Sequence, residues 1–287
     1  MPSGGTRRTS HNFGQRMAPV VRARVVAEYD HDHKAFTQGL IWCDGHLYES
    51  TGLQGASTIR KVELASGKVV EYHELHQKEF GEGLALVGPH NSRLLQVLWK
   101  AGRGYVYDRS NLLPLFQFSY DGDAWGLASL PEDRNVIFLS NGTSTVKVFY
   151  LDGTKLEYKR QFTVFDGLKE VGLLNELEVI GTELWANVWM SDFIARIDLH
   201  TGKVNSWVDV REILHKSSIP NGHTVDVLNG IAYDEHSSSI YITGKHWPKL
   251  FSIQLTDRLV AQNITEVTNA FFLDRDQVEY VHKHILV

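Results

Sequence analysis

The sequence predicts an all-β protein, a five-bladed β-propeller with four-stranded antiparallel blades. Three observations point there: a composition suited to strands and turns, a fivefold repeat, and hairpin signals inside the repeats. In 287 residues, 7 Trp, 11 Tyr and 13 Phe accompany 24 Gly and only 7 Pro, which favours short strands joined by tight turns. With 43% hydrophobic and 22% charged residues, the chain can bury a sizeable core and lacks the bias of a disordered protein.

The repeat aligns Thr37-Gln38-Gly39-Leu40, Gly81-Glu82-Gly83-Leu84, Ala124-Trp125-Gly126-Leu127, Leu174-Asn175-Glu176-Leu177 and Leu228-Asn229-Gly230-Ile231, spaced 43 to 54 residues apart. In each, one variable residue precedes a Gly-apolar pair or its equivalent. A second strand follows at Gly45 to Thr51, Arg93 to Trp99, Asn135 to Asn141, Glu183 to Trp189 and Ser239 to Lys245. Third strands are expected at Ile59 to Leu64, Val146 to Leu151 and Ile194 to Leu199. Each is closed by a turn containing Gly67, Gly153 or Gly202, where glycine supplies a positive φ. Fourth strands are read at Val69 to Glu74, Leu115 to Tyr120, Tyr158 to Val164 and Val204 to Val208. In the fifth repeat Lys249 to Leu255 needs an outer neighbour, and Val20 to Tyr29 is placed to supply it and fasten the ring. Residues 1–19 read as a disordered tail, leader or tag, and residues 20–287 as one propeller domain. Its tail, past Asp257, could hold a capping helix or edge strand at Asp274 to His284.

The net charge of -5 offers no broad basic surface, so nucleic acid is not an expected partner. No apolar run approaches the ~18 residues of a membrane span, and no membrane partner is expected. The first nineteen residues lack the apolar core of a signal peptide, leaving the compartment open. Cys43, the single cysteine, sits in an apolar run and reads as a buried structural thiol. His31-Asp32-His33 is the best local metal cluster, but it lacks a third ligand at recognisable spacing and reads as a solvated loop. Serine nucleophile elbows, zinc-protease helices and phosphate-binding loops do not occur.

Residues at one repeat position converge on the axis of a propeller, which would bring Gln38, Glu82, Trp125, Asn175 and Asn229 together from five inner strands. The second strands add Trp99, Asn141, Trp189 and Lys245, with Trp99 and Trp185 expected in packing between blades. A carboxylate beside aromatic walls loses hydration unless its charge is used or its pKa rises, so Glu82 is the strongest functional candidate.

Phe36-Thr37-Gln38-Gly39-Leu40, Phe80-Gly81-Glu82-Gly83-Leu84, Asn175-Glu176-Leu177-Glu178, Trp185-Ala186-Asn187-Val188-Trp189, Asp226 to Ala232 and Thr243 to Leu250 together resemble the plant and bacterial type of glutaminyl cyclase, a five-bladed propeller family. The resemblance runs from about residue 24 to 255 and implies closure of an N-terminal glutamine to pyroglutamate with loss of ammonia, without a metal or other cofactor. It implies Glu82, Asn175 and Lys245 as catalytic residues and Phe36, Gln38, Trp125 and Trp189 as substrate contacts. Ala124 departs from the glycine usual before the tryptophan, a change that could shift the Trp125 loop slightly. The implied partners are peptides or proteins beginning with Gln, bound by a monomer. A non-enzymatic peptide- or protein-binding propeller is the alternative, and a metal-dependent hydrolase or lactonase would need more channel acids than Glu82.

Overall fold

The computed structural model describes residues 17–215 and 219–259, and these are all-β. An opening strand β1 (Val20–Asp30) precedes a four-stranded sheet of β2 (Thr37–Cys43), β3 (His46–Thr51), β4 (Thr58–Glu63) and β5 (Val69–Glu74). A second sheet holds β6 (Gly81–Val87), β7 (Arg93–Leu98), β8 (Arg103–Asp108) and β9 (Pro114–Ser119). The third holds β10 (Leu127–Leu130), β11 (Asp133–Leu139), β12 (Thr145–Asp152) and β13 (Lys155–Thr163). After a small hairpin of β14 (Phe165–Asp166) and β15 (Lys169–Glu170) come β16 (Leu174–Ile180), β17 (Glu183–Val188), β18 (Phe193–Asp198) and β19 (Val204–Asp209). The last three strands are β20 (Leu228–Asp234), β21 (Ser239–Gly244) and β22 (Lys249–Leu259).

The three four-stranded sheets are antiparallel meanders, and β1 joins the last two groups of strands. It runs antiparallel to β22 along most of its length, while Val20 to Arg22 pair in parallel with Trp207 to Asp209 of β19, giving an eight-stranded sheet. The expected pairing of Val20 to Tyr29 with the strand from Lys249 is therefore present. The expected strands lie within a few residues of those observed, whereas β8 and the β14–β15 hairpin escaped the sequence pattern. The expectation for Asp274 to His284 lies outside the described residues. Among the described residues no helix is long and apolar enough to cross a membrane.

Five apolar clusters lie between neighbouring groups. Ile41, Tyr48 and Ile59 pack with Leu84, Leu94 and Tyr107, and Ala85, Val97 and Val106 with Leu127, Ile137 and Phe149. Ala128, Phe138 and Val148 meet Leu177, Ala186 and Trp207, while Trp185, Ile194 and Val208 meet Ile231, Ile242 and Phe251. The fifth cluster returns to the start, with Ala232, Tyr241 and Leu250 against Leu40, Leu47 and Val62. The first strands follow the same order: β2 neighbours β6 and β20, β10 neighbours β6 and β16, and β16 neighbours β20. Burial falls from the first strand outward, from wholly buried β6 to largely exposed β5 and β13. Cys43 is a buried free thiol whose burial pushes its pKa up to about 11.

The solvated-loop reading of His31-Asp32-His33 holds for exposed His33 but not for His31. His31 is buried, its Nδ1 donating to the Trp247 carbonyl (2.7 Å) and its Nε2 lying 3.1 Å from Glu49 Oε1. Glu49 also accepts from Thr37 Oγ1 (2.7 Å) and Arg60 Nε (2.8 Å), and Arg60 Nη1 reaches Asp32 (2.9 Å). This network ties the end of β1 to β2, β3 and β4. Burial alone would raise the Glu49 carboxyl, but Arg60, His31 and Thr37 hold it well below the usual carboxylate range. A depressed carboxylate contributes stability above its unfolded pKa of about 4.3 and loses it as pH falls toward the folded value. Glu49→Gln is therefore expected to cost about 3–5 kcal/mol near pH 7, with the gap to wild type narrowing below about pH 4.3 in urea melts. A gap independent of pH would contradict that origin.

Candidate active site

Four of the five first strands slip register against their partners at the repeat residue: between Thr37 and Gly39, Gly81 and Leu84, Leu174 and Leu177, and Leu228 and Ile231. The fifth does the equivalent just before β10, where Trp125 N donates to Ser140 O (2.8 Å) and Ser140 N to Gly126 O (3.0 Å). Such bulges re-aim a side chain out of its sheet. Gln38, Glu82, Trp125, Asn175 and Asn229 are accordingly all buried, one from each group of strands.

The glycines of the repeat follow from the same crowding. A Cβ on Gly39 would stand 2.6 Å from Leu84 N and one on Gly83 2.5 Å from Leu127 N, while one on Gly126 would strike the Asn175 carbonyl. At Gly39, Gly83 and Gly126 the chain lies against the next strand's backbone, where only glycine fits. Backbone groups freed by the bulges bond to polar side chains of the second strands. Gly126 N donates to Ser140 Oγ (2.9 Å), which donates to Asn175 O (2.6 Å). Gly230 N donates to Asn187 Oδ1 (2.9 Å), and Ser50 Oγ donates to Glu82 O. Gln96 Nε2 completes the last of these by donating to Ser50 Oγ (2.7 Å).

Aromatic rings line both sides. Lys245 Nζ lies 4.6 Å from the Phe36 ring centre, and Phe36 meets Phe80 edge-on at 6.0 Å. Phe80 continues to Trp99 at 5.4 Å, and Trp125 and Trp189 form a T-shaped pair at 5.8 Å. Asn229 Nδ2 donates to Thr37 O (2.9 Å) and Gln38 Oε1 (3.2 Å), so two of the amides are linked. Among the described residues the buried Asn175 Oδ1 has no hydrogen-bond partner, an acceptor held in reserve.

Burial pushes the Glu82 carboxyl well above its ordinary range. Lys245 pulls the other way, and the charge of Asp123 pushes further up. Burial likewise lowers Lys245, while Glu82 and Asp226 favour its charged form. The pair therefore stands in a low-dielectric pocket with each group shifted toward neutral pH, a pattern that marks groups able to exchange protons. Among the described residues no three His, Cys, Asp or Glu side chains stand close enough together to hold a metal ion.

Asn141 departs from its expected place, because its Oδ1 accepts from Thr143 N (3.3 Å) and Thr143 Oγ1 (2.6 Å) and shapes its own turn. Trp185 packs between sheets as expected, and Trp99, partly buried, also packs against an apolar cluster, with Lys100 Nζ 4.2 Å over its ring. Phe80 was missed among the pocket residues although its signal was present: like Phe36, it stands two residues before its repeat residue. The supporting Ser50, Gln96, Ser140 and Asn187 had no such signal.

A family model described as glutamine cyclotransferase matches residues 4–255. The chain is 43% identical over 234 residues to the glutaminyl-peptide cyclotransferase of Arabidopsis thaliana, covering 80% of this chain and 70% of the relative. The crystal structure of Myxococcus xanthus glutaminyl cyclase superposes with a TM-score of 0.73 and 31% identity, covering 85% of this chain and 99% of that one.

Proposed function

Because the chain belongs to the glutamine cyclotransferase family, and so converts the N-terminal glutamine of peptides to pyroglutamate with release of ammonia, we propose that Glu82 carries the proton transfers of that reaction. The observation behind this is a buried carboxyl that makes no side-chain ion pair among the described residues, is pushed up by its surroundings, and has Lys245 as its cationic neighbour. The substrate's own α-amine attacks the γ-carboxamide carbon, so nucleophile and electrophile arrive in one molecule and the site must hold the folded near-attack shape. As the new C–N bond forms, the Glu82 carboxylate takes a proton from the amine; as the old C–N bond breaks, the carboxyl returns it to the departing nitrogen as ammonia. A carboxyl whose pKa is raised is a stronger base toward the amine proton and can still return that proton to the leaving nitrogen, which suits this cycle.

Lys245 and the Asn175 amide donate to the oxyanion that develops on the carboxamide oxygen. Gln38, held by Asn229, orients the substrate's polar groups, and Phe36, Trp125 and Trp189 enclose the short side chain and exclude water. The five groups of strands are read as five four-stranded blades, with residues 20–287 as one domain. The cyclic order of the first strands and the five intervening cores support that reading. All the proposed site residues come from one chain, and a monomer suffices.

No step uses a metal. The monomeric species isolated by sedimentation is therefore expected to release ammonia from a Gln-initiated dipeptide at an unchanged rate after treatment with strong chelators, with product followed by mass spectrometry. Loss of activity restored by zinc would overturn the metal-free reading.

A further inference from the structure

The repeat breaks its own rule once. Gly39, Gly83, Gly126 and Gly230 follow the repeat residue in four groups, but in the fourth the place is taken by Glu176. Its side chain is fully buried at 0% exposure, on a strand that neighbours β2, β10 and β20 together. One carboxyl oxygen accepts from Leu40 N (3.3 Å) and the other from Ile231 N (2.8 Å). Those two amides lie two residues beyond Gln38 and Asn229, and Glu176 itself follows Asn175. The three pocket amides thus sit on three bulged strands that one carboxyl group joins.

We infer that Glu176 is a positioning residue for the cyclisation: it holds the bulges of β2, β16 and β20 in register, so that Gln38, Asn175 and Asn229 keep the geometry that orients the glutamine carboxamide. This rests on the site reading above. Other side chains that cross between groups reach one neighbouring group each, as Ser50 Oγ reaches Glu82 O, Ser140 Oγ reaches Asn175 O and Asn187 Oδ1 reaches Gly230 N, whereas Glu176 satisfies buried N–H groups on two neighbouring groups at once. Glu82 and Lys245 are held by other contacts, so the influence of Glu176 falls on substrate orientation and not on the proton carrier.

Glu176→Gln keeps size but turns one side of the group from acceptor to donor, facing a backbone N–H that also donates. The expected result is a fall in kcat/KM of about 10- to 100-fold for a Gln-initiated dipeptide, measured well below the melting temperature, with the pH dependence assigned to Glu82 unmoved. Asp166→Asn is the control, because Asp166 is also a buried carboxyl group bridging distant groups, Ala18 N (2.7 Å) and Trp207 Nε1 (2.8 Å), but lies on β14 away from the ring. It should lower the melting temperature while keeping wild-type kcat/KM. Wild-type kinetics in Glu176→Gln, or a loss no greater than that of Asp166→Asn at equal loss of stability, would overturn the inference. If Glu176→Gln does not fold, Glu176→Asp carries the same test, since its shorter carboxylate cannot reach both amides, and the same outcomes decide. An Asn175→Ala arm separates the two readings: if it too keeps wild-type kinetics, the site assignment itself has failed, and if it alone is impaired, only the role of Glu176 has.

Discussion

Glu82→Gln is expected to lower kcat by about 10²- to 10⁴-fold, the range typical of a lost general acid or base. The amide keeps the length and hydrogen-bonding reach of the side chain but cannot take the amine proton or return it to the leaving nitrogen. KM should change far less, because the aromatic walls and the Gln38, Asn175 and Asn229 amides remain, and a loss concentrated in kcat marks an interaction used in the transition state. The wild-type enzyme should also lose activity toward acid pH as Glu82 takes up a proton in the free site, at a pH well above the ordinary carboxylate range. The variant should lack that limb. Near-normal turnover by Glu82→Gln, or a change confined to KM, would leave the family assignment standing and remove this residue from the mechanism.

What the sequence displays and what it hides divide along a physical line. The strands and their order are legible because alternating burial, turn glycines and the Gly-apolar pairs are local signals that recur in each repeat. Glu82 is legible because a carboxylate at an inner-strand position conflicts with burial. The fastening strand β1 is legible by elimination, since β22 needs a neighbour. By contrast, β14 and β15 are only two residues each, too short to carry a period. His31 looks like part of a polar turn until Glu49 and Arg60 arrive from other strands, and Ser50, Ser140 and Asn187 look like ordinary strand residues until the bulges free backbone groups for them to bond. Glu176 shows the limit most clearly. Its break with the glycine pattern is visible in the sequence, but its partners Leu40 and Ile231 lie 136 and 55 residues away, so its proposed purpose appears only when β2, β16 and β20 come together.

Lys245→Met is expected to lower kcat by about 10²- to 10³-fold, the scale of losing a donor to a developing oxyanion. Methionine retains an unbranched apolar stem that can still cover the Phe36 ring, so packing should survive while the charge does not. The sign of the accompanying pH effect follows from the pair. Lys245 pulls the Glu82 carboxyl down against the effect of burial; with the cation removed, nothing offsets desolvation and the charge of Asp123, so Glu82 should rise further. The acid limb of the kcat/KM profile should therefore move to higher pH in Lys245→Met. On the alkaline side, burial lowers Lys245 in the wild type, so wild-type turnover should fall as the ammonium loses its proton, and the variant should lack this limb. A variant whose acid limb moved downward, or stayed in place while kcat fell, would show that Lys245 does not couple electrostatically to Glu82, and its part in the reaction would have to be sought in binding alone.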